Sequence, residues 1–288
     1  MSGILSFRFV AMLYSAAAVP VLYLRWHSRT KRAENDAFLA NHGRIAPEIE
    51  RQKALNHLLS GDAQRVDSNE HFEGSRNCSA ARKKAGMMAR GNVLEIGIGT
   101  GEKTLPTFER NHAVKSITGI DNHSLSLKVC GMRVSELGIS KPVTLVEARA
   151  ESLPFPDKSF DTVISEFSLC AIEDPVAALK EMTRVARNRV IILEHGLSYW
   201  SVVRKLGYWT SFFPDPQHPW SYGCYQDRDI LEIVKESGVK VKQMQMSSLG
   251  HVYLLTLAPG DTNSELISDL HEPTVVFTTP SNTSSSHS

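Results

Sequence analysis

The sequence predicts an α/β fold: an open sheet of seven strands, mostly parallel with one antiparallel strand, preceded by an N-terminal membrane helix. Three observations predict it. From Val93 to Ala258 short apolar runs alternate with helical segments, the pattern of parallel strands joined by crossover helices. The first run leads straight into a glycine-rich turn, Gly97-Ile98-Gly99-Thr100-Gly101. The last two runs are separated by only a short turn and should form an antiparallel hairpin.

In chain order, Ile4–Leu24 comes first. Only Ser6, Arg8, Ser15 and Pro20 in it fall outside the apolar set, and as a helix it would reach about 31 Å, roughly one hydrocarbon core. Arg8 lies near one end, where a long side chain can snorkel. Trp26 follows as an interface residue, with Arg25, His27, Arg29, Lys31 and Arg32 as a basic flank. No acid precedes Glu34, which is also the signature of a mitochondrial presequence. A retained membrane anchor is the favoured reading of residues 1–30. A cleaved presequence, a secretory signal cut at Ala16-Ala17-Ala18 and a buried core helix are the alternatives.

Residues 31–90 are polar and helix-prone, a helical lead-in. Residues 91–258 hold the domain. The strand candidates are Val93–Ile96, Ser116–Ile120, Val143–Glu147, Thr162–Ser165, Val190–Leu193, Val239–Met246 and Val252–Ala258; the helix candidates include His123–Leu137, Pro175–Ala186 and Asp227–Ser237. Pro175 suits a first helical position, and Gly138 and Gly238 suit helix ends. Within the domain, residues 198–225 collect aromatics and prolines, among them Trp200, Trp209, Phe212, Phe213 and Trp220. That is too apolar for a plain solvent loop and reads as a lid. Residues 259–288 turn polar and read as a disordered tail.

The composition agrees with a packed domain: 42% hydrophobic, 22% charged, net charge +1 over 288 residues. Such neutrality argues against a dedicated nucleic-acid coat. The charge is uneven, with 14 Lys/Arg against 8 Asp/Glu up to Asn92 and 18 against 23 beyond it. Cys78, Cys130, Cys170 and Cys224 form no CxxC pair, which disfavours a redox motif, a zinc knuckle and a disulfide scaffold. No compact His/Asp/Glu cluster suggests a metal site, so none is expected. Cys170 reads as a small buried residue.

The glycine turn carries the chemistry. Glycines let the backbone bend tightly and approach a ligand, and a helix start behind them offers open N–H groups. A dinucleotide fingerprint is G-x-G-x-x-G; here the glycines stand at 97, 99 and 101, with Glu102 next and Glu95 two before the first. Asp121 closes the second strand, where an acid can accept hydrogen bonds from ribose hydroxyls. This arrangement resembles the class I S-adenosylmethionine-dependent methyltransferases, whose sheet is Rossmann-like. The resemblance implies S-adenosylmethionine as cofactor, held by Glu95, Gly97, Gly99, Gly101 and Asp121. The Leu153-Pro154-Phe155…Phe160-Asp161 pattern is similar to the small-molecule branch, which implies that Ala150 and Glu151 hold the adenine and that Glu166, ending the fourth strand, completes the set. Arg149 stands where an Asp is common in that branch.

Further segments narrow the resemblance: Phe167-Ser-Leu-Cys170-Ala-Ile-Glu-Asp174-Pro175, Glu194-His195-Gly196, Gly223-Cys224, Arg228-Asp229-Ile230 and Gly250-His-Val-Tyr253. Together they look like the mitochondrial Oms-type methyltransferase-like proteins and the membrane-bound methyltransferase-like thiol methyltransferases of animals. This implies a membrane location, the mitochondrial inner membrane first and the endoplasmic reticulum second. Arg187-Asn188-Arg189 departs from the usual Pro-Gly-Gly turn before the fifth strand.

Methyl transfer needs alignment of nucleophile and methyl, and a protic acceptor also needs a base. His195 ends the fifth strand, on the edge that faces the ligand crevice of such folds. It either serves catalysis or acceptor orientation, or is a histidine hydrogen-bonded to the lid. His218, Tyr222, Cys224 and Asp227 are secondary candidates. No Asn/Asp-Pro-Pro-aromatic motif follows the fourth strand, and no Pro-Cys pair is present, so DNA is not an expected partner. RNA methylation rests only on the basic segment Arg76–Arg90. The expected activity is methyl transfer to a small apolar or thiol-type acceptor. The rival is a membrane-tethered assembly factor with a vestigial cofactor site.

Overall fold

A computed structural model describes residues 76–210 and 223–260 as continuous chain, and before them residues 23, 26–43, 46–47, 49–50, 52–53 and 56. The proposed anchor Ile4–Leu24, apart from Tyr23, and residues 261–288 lie outside the described residues. Residues 26–42 are helical. Among the described residues no helix is long and apolar enough to cross a membrane.

The continuous part runs α1 (Arg76–Met88), β1 (Gly91–Ile96), α2 (Leu105–Arg110), β2 (Val114–Asp121), α3 (Ser124–Glu136), β3 (Val143–Glu147), β4 (Phe160–Glu166), α4 (Pro175–Val185), β5 (Ala186–His195), α5 (Ser201–Thr210), α6 (Ile230–Ser237), β6 (Val241–Ser247), a single 3₁₀ turn and β7 (Val252–Leu257). All seven expected strands are present, with ends displaced by at most a few residues. They form one sheet in the order β3-β2-β1-β4-β5-β7-β6. β1 to β5 run parallel, and β7 is antiparallel to both β5 and β6.

Burial explains why these strands were readable. Covered on both faces, a parallel strand becomes a nearly continuous apolar run. On one face Leu94, Val163, Val190, Ile192 and Tyr253 pack with Leu179 and Met182 of α4 and Ile230 and Val234 of α6. On the other, Val93, Ile164, Ile191, Leu193 and Leu254 pack with Cys78 and Ala85 of α1 and Phe108 of α2. The edge strand β3 has no fully buried residue.

Local signals set the helices. Asp174 caps α4, its side chain accepting from the Ala177 amide at 2.9 Å, with Pro175 at the first turn; such a cap is worth ~0.5–2 kcal/mol. The expected Asp227–Ser237 helix begins later, at Ile230, because Asp229 is its cap and accepts from Glu232. Gly238 ends it at φ +71°, a conformation that costs glycine nothing. No turn separates α4 from β5: the cap residue Ala186 already has extended backbone, and Arg187, Asn188 and Arg189 lie inside the strand. Arg187 pairs with Asp161 at 2.8 Å, which replaces the turn by a surface clasp.

Strand register gathers one edge. Ile96 lies opposite Ile120 and Ser165, Asp121 opposite Glu147, and Glu166 opposite Leu193. The C-terminal ends of β1, β2, β4 and β5 therefore sit side by side. The strand order reverses between β1 and β4, and open α/β sheets bind ligands at such a switch point.

Candidate cofactor site and acceptor face

The turn after β1 is shaped by its glycines: Gly97, Gly99 and Gly101 have φ of +67°, +55° and +71°. They are glycines for different reasons. A Cβ on Gly97 would stand 2.5 Å from Ser168 Oγ, and one on Gly101 would stand 2.6 Å from Leu105 and 2.7 Å from Cys130 Sγ, whereas one on Gly99 would meet nothing within 4 Å. Gly97 and Gly101 serve packing; Gly99 leaves a face of the turn open for a ligand. Arg133 braces the loop through the Glu102 carboxylate at 2.9 Å and through Thr100, which gives Glu102 its place where a dinucleotide fingerprint would have glycine.

Asp121 faces this turn. Its Oδ2 accepts from the Gly99 amide and its Oδ1 from the His123 amide, each at 2.9 Å. Burial pushes its carboxyl above the usual value, against these hydrogen bonds. A carboxylate oxygen can accept more than one hydrogen bond, so the acid can fix the turn and still receive ribose hydroxyls.

Glu95 is buried, and its Oε2 finds no hydrogen-bond partner among the described residues. Burial and the neighbouring Glu166 carboxylate push its pKa well above normal. A buried carboxylate oxygen without a partner is expensive. A cationic amine placed there would relieve it, so the site suits the ammonium group of S-adenosylmethionine. Glu166 is itself pushed up to about 7 by burial, against Arg82, whose guanidinium lies 3.5 Å away and also over the Phe167 ring at 4.5 Å. Arg82 belongs to α1, so the lead-in contributes directly to the site.

Ala148, just past β3, donates to the Asp121 carbonyl at 3.1 Å, which sets the start of the Ala150–Glu151 turn beside β2. Ala150 is buried. Glu151 is taken up by Arg149 at 2.9 Å and by the Asp174 amide at 3.4 Å; Arg149 also reaches Glu173. At this position the chain holds a small ion-pair network. Two further contacts carry the lead-in across the same edge: Asn56 Oδ1 to His123 Nε2 at 3.1 Å, and the Ala46 amide donating to Tyr225 Oη at 3.1 Å.

On the β4–β5 side, His195 is buried at the end of β5. Its ring lies 5.6 Å from that of Phe167, and its Nε2 is 3.2 Å from Cys224 Sγ. Glu194 beside it is fully buried and accepts from the amides of His195 at 2.9 Å and Cys170 at 3.3 Å. Cys170 is buried as expected. Ligand atoms of Cys170, His195 and Cys224 all lie within 4.8 Å of one another. Three separate segments converge to form this group, so no sequence spacing announced it. The proposed partnership of His195 with the aromatic segment has a counterpart in the contact with Cys224. Asp227 lies next to this segment. His218, Tyr222, Phe212, Phe213 and Trp220 lie outside the described residues, and Trp209 is described only as backbone of α5.

Comparison with known proteins agrees with this geometry. Residues 94–193, from β1 through β5, match the family model described as "Methyltransferase domain". A phosphatidylethanolamine N-methyltransferase of Cereibacter sphaeroides is 38% identical over 117 residues, 40% of this chain and 56% of that protein. The ubiquinone/menaquinone biosynthesis C-methyltransferase UbiE of Citrifermentans bemidjiense is 33% identical over 157 residues, 54% of this chain and 61% of that protein. The chain thus spans somewhat more than half the length of these relatives. Among solved structures, the [4+2]-cyclase SpnF superposes with a TM-score of 0.52 at 20% identity, covering 69% of this chain and 76% of SpnF. A chain of the complex between the Haloferax volcanii Trm112 methyltransferase activator and its methyltransferase does so with 0.52 at 13% identity, covering 73% of this chain and 100% of that one. Strand order, glycine turn and acid placement coincide with the match of residues 94–193 to the methyltransferase-domain model, and the folded part of this chain has the fold of a methyltransferase domain.

Proposed function

We propose that the whole protein transfers a methyl group from S-adenosylmethionine to a small apolar or thiol-type acceptor at a membrane. The observation that carries the reading is the clasp of Asp121 on Gly99 beside the buried Glu95 oxygen that has no hydrogen-bond partner among the described residues. S-adenosylmethionine supplies, when bound, a methyl group already activated on a sulfonium. The protein's part is to hold and align. Asp121 would take the ribose hydroxyls and Glu95 the ammonium group. Ala150, Glu151 and Glu166 are proposed to complete the cofactor site, and His195 to orient the acceptor or take its proton.

The acceptor class follows from the relatives and the sequence together. The names of the two curated relatives concern a phospholipid, which is amphipathic, and a quinone, both of which carry long apolar chains. An apolar segment such as Ile4–Leu24 would keep the site next to such acceptors. The sequence resemblance to the Oms-type and animal thiol methyltransferase-like proteins adds thiols to the proposed acceptors and motivates a mitochondrial inner membrane address. Calorimetry with S-adenosylmethionine tests the cofactor. A methyl-release screen over quinones, lipids, thiols and RNA tests the acceptor; turnover of RNA alone would reject the acceptor class.

A further inference from the structure

We infer that Cys170, His195 and Cys224 form a zinc site. Nothing in the methyltransferase reading requires one; of the two roles proposed for His195, the inference is compatible with acceptor orientation and not with proton removal.

The donors converge from three places: the turn after β4, the end of β5 and the segment after the aromatic stretch. Their ligand atoms lie within 4.8 Å of one another, and the Cys224 Sγ to His195 Nε2 distance is 3.2 Å. Zinc bonds of ~2.3 Å to sulfur and ~2.0–2.1 Å to nitrogen in a tetrahedron put donor atoms about 3.5–3.8 Å apart. The observed spread brackets that spacing, so small side-chain adjustments suffice.

The scaffold around the donors is fixed. The Cys170 amide donates to Glu194 Oε2, and the Cys170 carbonyl accepts from the Tyr225 amide at 2.9 Å. One cysteine is therefore stitched to the backbone next to the other. Arg228 donates to the Leu169 carbonyl and lies 5.1 Å from the Tyr225 ring. Its charge offsets Glu194 while a dication balances two thiolates.

Donor chemistry selects the ion. Two thiolates and an imidazole are a soft set that suits zinc and disfavours magnesium or calcium. Three protein ligands leave a fourth position for water or a substrate atom, the pattern of catalytic rather than structural zinc. Zinc at this place removes His195 Nε2 from service as a base, so occupancy and a base role exclude one another.

The test uses the full-length chain, purified in detergent without chelator. Elemental analysis should find one zinc per chain. After stripping, zinc ion alone should restore it, and cobalt(II) should give the visible bands of a tetrahedral ion with thiolate-to-metal charge transfer. Cys170→Ser, Cys224→Ser and His195→Ala should each weaken zinc binding at least tenfold while calorimetric affinity for S-adenosylmethionine stays within twofold, which certifies the fold. Zinc retention unchanged in both cysteine variants overturns the site. So does a Cys170–Cys224 disulfide in the protein as purified. Should the variants lose the cofactor as well, the wild-type cobalt spectrum decides, and a spectrum without thiolate charge transfer rejects the assignment.

Discussion

Asp121, which ends β2, and Gly99, in the turn after β1, are joined by a 2.9 Å hydrogen bond from the Gly99 amide to Asp121 Oδ2. The acid proposed to take the ribose hydroxyls also sets the turn proposed to carry the cofactor. Asp121→Ala removes both functions. At ~1.5–3 kcal/mol for a hydrogen bond to a charged group, affinity for S-adenosylmethionine should fall at least tenfold in calorimetry. Unchanged affinity would sink the cofactor site.

Gly99 and Gly97 should separate binding from folding. Gly99→Val puts a side chain into open space at φ +55°, so thermal unfolding should show the ~1–2 kcal/mol of left-handed backbone strain. Cofactor affinity should drop by more than tenfold. Gly97→Val adds a collision with Ser168 and should cost more stability. Equal stability losses with cofactor binding retained would assign the turn to packing alone.

His195→Ala should cut turnover and leave cofactor affinity nearly unchanged. A general base is worth ~10²–10⁴-fold. The defect should shrink for acceptors already ionised at the assay pH if the imidazole takes a proton. A defect of one size across acceptors of different acidity rejects the base role.

Glu166 should leave a pH signature. Its folded-state pKa lies near 7, against 4.5 for the free side chain. A raised carboxyl contributes most to stability when protonated, below pH 4.5. That contribution fades as pH rises and is gone above about 7. At ~1.4 kcal/mol per pH unit this window amounts to about 3 kcal/mol. Denaturant unfolding of wild type and Glu166→Gln at pH 4.5 to 8 should show wild type losing ground to the variant as pH rises. Parallel curves would place Glu166 in solvent.

The anchor makes its own prediction. The full chain should pellet with membranes and resist carbonate, and a chain starting near Lys31 should be released. Carbonate release of the full chain would favour a cleaved presequence. Recovery only from the endoplasmic reticulum would reject the mitochondrial address and keep the anchor.

The strands were legible because burial on both faces writes itself as apolar runs, as in Val190–Leu193. The glycine turn after β1 was legible because tight turns demand glycine, as the positive φ of Gly97, Gly99 and Gly101 bears out. Other features were hidden. Arg82 reaches Glu166 across 84 positions, and from the sequence it is one more lysine-rich-helix cation. Cys224 meets His195 across 29 positions, and no spacing in the sequence ties either of them to Cys170. The pairing of Glu151 with Arg149 two positions before it has no signature in the sequence either. Only the fold brings such pairs together.

The direction of β7 has a practical consequence. It starts with Val252 beside His195 and ends with Leu257 beside Val190, so the chain leaves the sheet at the end opposite the cofactor edge, where the Gly260 amide donates to the Thr183 carbonyl. A tag fused directly after Gly260, in a chain shortened to that residue, would therefore attach the protein at the end of the sheet opposite the glycine turn.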